Sequence, residues 1–89
     1  IPIDRYMFLN AYTRYAMGLC TDAYFLFKQA FETSNNAAVQ EGALYYIVRI
    51  LVELQNFEEA GKALALLRTR HPQSSYIPLA SAALQGVQR

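Results

Sequence analysis

Few side chains in this sequence have reactive chemistry. Cys20 and His71 are the single thiol–imidazole combination that nucleophilic catalysis could use, and neither stands in a recognisable local motif. A lone cysteine more often packs as a small hydrophobe. With one histidine and one cysteine, a zinc site is not expected. The acids Glu58 and Glu59 already have a role as first-turn charges on a helix. No catalytic residue, cofactor or metal is therefore expected, and the chain is not read as an enzyme. Lys62, Arg68, Arg70 and His71 could attract phosphates as a small basic patch. They also fall near a helix C-terminus, where the dipole favours cations without any ligand. No glycine-rich phosphate loop or aromatic RNA-binding motif accompanies them, so nucleic-acid binding is the lesser alternative. Arg49 and Glu53, one helical turn apart, could pair with each other in the weaker Arg-before-Glu order. Alternatively, Arg49 could offer its planar fork to a partner's carboxylate.

These residues need elements to position them, and composition narrows what the elements can be. The 89 residues make one domain, near the lower size limit for a self-sufficient core. A hydrophobic fraction of 54% against 17% charged excludes a disordered chain and predicts some apolar surface covered by a partner or by neighbouring repeats. Beginning at Ile1, the sequence is expected to be part of a longer chain. Its longest uninterrupted apolar run, Ala43–Val48, is far short of the ~20 residues of a membrane span. The single cysteine excludes an internal disulfide and gives no compartment. Net charge is +1, but residues 62–89 carry four bases and no acid, while residues 1–61 carry four bases and seven acids.

The stretch Ala43–Leu54 is apolar apart from Arg49 and Glu53, which suits a helix buried on nearly every side. Its β-branched and tyrosine residues also allow a strand. The absence of turn signals and the length of the segment 37–55 favour the helix. Before it, a first helix is predicted from about Arg5 to Met17, capped by Asp4 and stopped by Gly18. Its aromatics Tyr6, Phe8, Tyr12 and Tyr15 fall on more than one face. A second helix, capped by Thr21, runs to about Thr33 with Ala23, Phe27, Ala30 and Phe31 on one side. Ser34-Asn35-Asn36 caps the long helix. Asn56 with Glu59 reads as a capping-box variant opening a fourth helix, whose Ala60, Leu64 and Leu67 point inward and which Pro72 stops. Gln73-Ser74-Ser75 caps a fifth, with Pro78 tolerated in the first turn and Leu79, Ala80, Ala83 and Leu84 along it. The fold class is all-α.

The second and fourth helices align without gaps at an offset of 37 residues: Ala23 with Ala60, Phe27 with Leu64, Ala30 with Leu67. A repeated hairpin buries its apolar face by stacking on its neighbour. On these residues, and on Leu44, Ile47, Leu51, Phe57 and Pro72, the chain resembles the tetratricopeptide-repeat family. The match is weaker in the first unit, through Ala11, Gly18, Ala23, Phe27 and Ala30. Cys20 stands where an aromatic is usual, Asn35 where proline is usual, and the offset exceeds the family's ~34. Pro72–Tyr76, followed by Ala80, is similar to the inter-repeat joint of bacterial envelope members such as Tol–Pal-associated and outer-membrane-assembly proteins.

The resemblance implies a right-handed stack of antiparallel helix hairpins, about 4–33 and 37–71, with a terminal helix at about 75–88. It leans toward a bacterial periplasmic or envelope setting. It also implies that the first helix of each pair lines a groove, here through Arg5, Phe8, Tyr12 and Tyr15, then Tyr45, Arg49 and Val52. The family's clamp for C-terminal carboxylates needs Lys and Asn where Phe8, Tyr12 and Tyr45 stand, so that activity is not expected. Tyr and Arg dominate binding hot spots. The expected partner site is therefore Phe8, Tyr12, Tyr15, Tyr45 and Arg49, taking an extended or helical apolar protein segment. Packing of these tyrosines against each other or the fifth helix is the competing reading, and self-association is a further one.

Overall fold

Five helices carry residues 3–87, the part of the chain that the computed structural model describes: α1 (Ile3–Ala16), α2 (Cys20–Thr33), α3 (Ala37–Glu53), α4 (Phe57–Arg70) and α5 (Tyr76–Val87). No strand occurs among the described residues, so residues 43–53 are helical with Leu54 as the C-cap, and the strand alternative falls. Ile1 and the base Arg89 lie outside the described residues. No helix of the described residues is long and apolar enough to cross a membrane.

The all-round apolar pattern of α3 has its counterpart in packing. It touches all four other helices, whereas the backbones of α2 and α4 stay apart and Arg70 of α4 reaches over the Phe31 ring of α2. Val39, Ala43, Leu44, Ile47, Val48, Ile50, Leu51 and Val52 are all buried. The two aligned triplets, Ala23/Phe27/Ala30 and Ala60/Leu64/Leu67, are buried as well, with Phe31 half-buried beside them. Ala60 is fully buried, so Ala60→Leu is expected to overpack its surroundings and lower stability by about 1–3 kcal/mol. An unchanged thermal melt would contradict this.

The turns repeat as closely as the helices. Gly18, at φ 85°, ends α1: its N–H donates to the Tyr15 carbonyl and that of Leu19 to Arg14. Gln55, at φ 62°, ends α3 in the same way, with Gln55 N–H to Val52 and Asn56 N–H to Leu51. Both are Schellman closures around a left-handed residue, and Gly18 and Gln55 are 37 positions apart. Helices α2 and α4 follow, each of 14 residues.

This shared turn overturns two predicted caps. A capping side chain needs an extended backbone to reach the helical N–H groups. The Schellman turn delivers Leu19 at φ −88°, ψ 66° and Asn56 at φ −95°, ψ 71°, and neither makes a side-chain cap bond. Thr21 therefore lies inside α2, whose N-cap is Leu19, and the Asn56–Glu59 capping box does not form. Glu59 instead accepts from Lys62 at 3.3 Å. Asn36, at ψ 120°, is extended and does cap α3, accepting from Ala38 N–H at 2.9 Å and Val39 N–H at 3.4 Å. Asp4 is also inside its helix, because α1 begins at Ile3. At the far end, Ser74 Oγ accepts from the Tyr76 N–H at 3.1 Å and opens α5, with Pro78 as its third residue. Ala80 turns into the core, while Leu79 stays exposed.

Candidate aromatic and arginine interaction site

The predicted site residues come together, around a residue that sequence reasoning missed. Tyr46 is the hub: its ring lies 5.1 Å from Phe27 in a stacked arrangement. It also meets Phe8 at 6.0 Å, Tyr12 at 5.5 Å, Tyr15 at 5.6 Å and Tyr45 at 5.0 Å, all at steep angles. Edge-to-face and offset-stacked geometries are the favourable ones for aromatic quadrupoles. Phe8 also stands edge-on to Phe27 at 5.4 Å. Its approach depends on Gly42, where a Cβ would fall 2.9 Å from the Phe8 ring. Tyr46 could not be separated from the packing residues of a helix that is apolar all round. The glycine within that helix was the one legible hint of a close aromatic approach.

The competing packing reading is true of part of the site. Tyr45 stacks on Tyr76, the first residue of α5, at 5.1 Å, and Val52 is buried in the core. Tyr12 remains 44% exposed. Arg5, itself exposed on α1, borders a cavity of about 360 Å³ with Phe8, Leu9, Val39 and Tyr76.

Arg49 sits at the other end of the cluster. Its guanidinium carbon lies 5.9 Å from the Tyr15 ring centroid and 5.8 Å from that of Tyr45, and Nη1 donates to the Tyr45 hydroxyl at 3.3 Å. Such stacking suits the flat, weakly hydrated guanidinium. Desolvation opposes its charge, but the Tyr45 hydrogen bond and the neighbouring Tyr15, Tyr45 and Glu53 outweigh it and hold its pKa above the ordinary value. Among the described residues no carboxylate lies within 4.0 Å of it. The expected Arg49–Glu53 contact pair is thus replaced by a longer-range attraction. Glu53 instead binds across to the first two helices, accepting from the Tyr15 hydroxyl at 3.1 Å and the Cys20 thiol at 3.2 Å.

That carboxylate changes two titrations. Burial first, and then Glu53, push the Cys20 thiol up, away from the reactive thiolate. Cys20 is therefore half-buried and hydrogen-bonded instead of serving as a plain core hydrophobe. Tyr15 is pushed up to about 12 from the usual 10, by burial chiefly and by Glu53, with Arg49 opposing. Between those two values the unfolded chain releases a proton that the folded chain keeps, so stability falls as pH rises through the window. Tyr46, raised by burial, acts in the same sense. Denaturation midpoints should stay level to about pH 8 and drop between about pH 10 and 12, and Tyr15→Phe should shrink the drop.

Of the remaining candidates, Arg68 is exposed on α4 and the other three have partners. Lys62 pairs with Glu58 at 3.9 Å and Glu59 at 3.3 Å, and Arg70 lies 5.6 Å over the Phe31 ring. His71 Nε2 faces the Gln40 Oε1 at 3.1 Å, while the Gln40 amide donates to the Ser34 carbonyl at 2.6 Å. The imidazole nitrogen must therefore carry the proton in that contact. Cys20 and His71 thus have separate partners. A second cleft, about 320 Å³, opens between α2 and α4 over Leu44, Ile47 and Leu51. Comparison of the chain with family models, curated proteins and solved structures gives no match.

Proposed function

We propose that the chain is a right-handed stack of tetratricopeptide-like hairpins, α1–α2 and α3–α4 with α5 at the end. It works as a non-enzymatic protein-interaction module that holds a partner segment along the Phe8, Tyr12, Tyr15, Tyr45 and Arg49 surface. The observation that carries this reading is Arg49 itself. It is half-buried against two tyrosine rings, has no carboxylate within 4.0 Å among the described residues, and stands in the same cluster as the exposed Tyr12. An arginine so oriented retains N–H donors for a partner, and the rings around it give contact area at low entropic cost. The repeated turns and helices support the hairpin stack. The engaged state of Lys62, Arg70 and His71 counts against the nucleic-acid alternative.

Selection of random displayed peptides on the immobilised chain tests the proposal. Apolar or aromatic sequences that compete with one another for a single site are expected. Recovery of no binder, or of binders with no common competition, would sink it.

A further inference from the structure

Arg49 uses little of what it can offer. A guanidinium presents its N–H donors as a planar fork of fixed geometry. Nη1 donates to the Tyr45 hydroxyl at 3.3 Å, while Nε and Nη2 have no hydrogen-bond partner among the described residues. Neither nitrogen is a buried atom left without a partner, so both face solvent although the side chain is half-buried. Nε and Nη2 form one edge of the fork, and that edge matches the two oxygens of a carboxylate in a bidentate pair. The Tyr15 and Tyr45 rings, with centroids 5.9 and 5.8 Å from the guanidinium carbon, flank it.

The carboxylate one helical turn away is already committed. Glu53 accepts from the Tyr15 hydroxyl through Oε1 at 3.1 Å and from the Cys20 thiol through Oε2 at 3.2 Å. Each oxygen ties α3 to the first two helices, and swinging the side chain toward Arg49 would break both ties. No other carboxylate among the described residues lies within 4.0 Å of Arg49. A segment lying along Phe8, Tyr12, Tyr15 and Tyr45 also covers this half-buried guanidinium and removes its remaining solvent. Burying a cation without an opposite charge is costly. The chain has no free carboxylate beside Arg49 to move in, so the counter-charge has to come from the segment.

We infer that the segment held here carries an acidic side chain, Asp or Glu, whose carboxylate closes on the Nε–Nη2 edge of Arg49 while its apolar residues cover the tyrosine rings. This rests on the partner-groove proposal above and adds to it the chemistry of the segment. A carboxylate suits the site better than a phosphate group. Arg49 is the one cation among the five site residues, and Glu53 already acts on its charge, so a dianion would meet one positive group and one negative.

Synthetic copies of the selected peptides test this by titration calorimetry, amidated at the C-terminus so that only a side chain can supply the carboxylate. They are titrated into the native chain, Arg49→Met and Arg49→Lys, with far-UV circular dichroism confirming the fold of each. Replacing one acidic residue of the peptide by its amide should weaken binding to the native chain about tenfold or more. The same replacement should change binding to Arg49→Met by less than about twofold, because the group it would have lost is already gone. On Arg49→Lys, which keeps the charge but not the fork, it should cost less than on the native chain, and this holds as the test should Arg49→Met not fold. Binders without an acidic residue, binders that need a free C-terminus, or an amide replacement that costs as much on the variants as on the native chain overturn the inference. Those outcomes leave the groove reading standing where the peptides compete for a single site. Recovery of no binder sinks that reading, and this inference with it.

Discussion

Phe27→Ala is expected to lower the unfolding free energy by about 3–5 kcal/mol, a large share of the total for a domain of this size. Phe27 is fully buried on α2, stacks on Tyr46 of α3 and receives the edge of Phe8 from α1. Truncating it leaves a cavity where three helices meet, and two rings lose their partner together. The cause can be separated from simple loss of area. A double-mutant cycle between Phe27→Leu and Tyr46→Leu, both milder, should return a coupling of about 0.5–1.5 kcal/mol from the stacked pair. Additive effects in chemical denaturation would mean that the two rings act only as separate volumes.

The second large effect concerns binding. Tyr12→Ala and Tyr45→Ala should each weaken capture of a selected peptide by about ten- to thirtyfold, or ~1.4–2 kcal/mol, with helix content intact. The two losses differ in origin. Tyr12 is well exposed, so its truncation removes contact area and little internal packing. Tyr45 stacks on Tyr76 and holds Arg49 through its hydroxyl, so its loss also frees the guanidinium. Tyr45→Phe keeps the stack and removes that hydrogen bond. A Tyr45→Phe binding constant close to wild type, measured by titration calorimetry, would mean that Arg49's orientation contributes nothing.

The core faces of α2 and α4 were legible because small–large spacing leaves a mark at helical period: Ala23, Phe27 and Ala30, and again Ala60, Leu64 and Leu67, all became core. The stop at Gly18 was legible for the same kind of reason, since glycine is the usual left-handed residue. Its counterpart Gln55 carries no such signal, and so the turn that displaced the Thr21 and Asn56 caps could not be foreseen. Tyr45 and Arg49 stood out by residue type, but Tyr46 did not, because nearly every side of α3 is apolar. Glu53 was read along its own helix, one turn from Arg49. Its hydrogen-bond partners, Tyr15 and Cys20, are 38 and 33 positions away, and no local spacing points to them.

Amide shift mapping by nuclear magnetic resonance, with a selected peptide added to the labelled chain, tests the central claim most directly. The aromatic-surface account predicts the largest shifts at Phe8, Tyr12, Tyr15, Tyr45 and Arg49, with smaller ones at Tyr76 behind Tyr45. Shifts gathered instead at Tyr24, Lys28, Phe31, Ala63 and Leu66, around the cleft between α2 and α4, would contradict it.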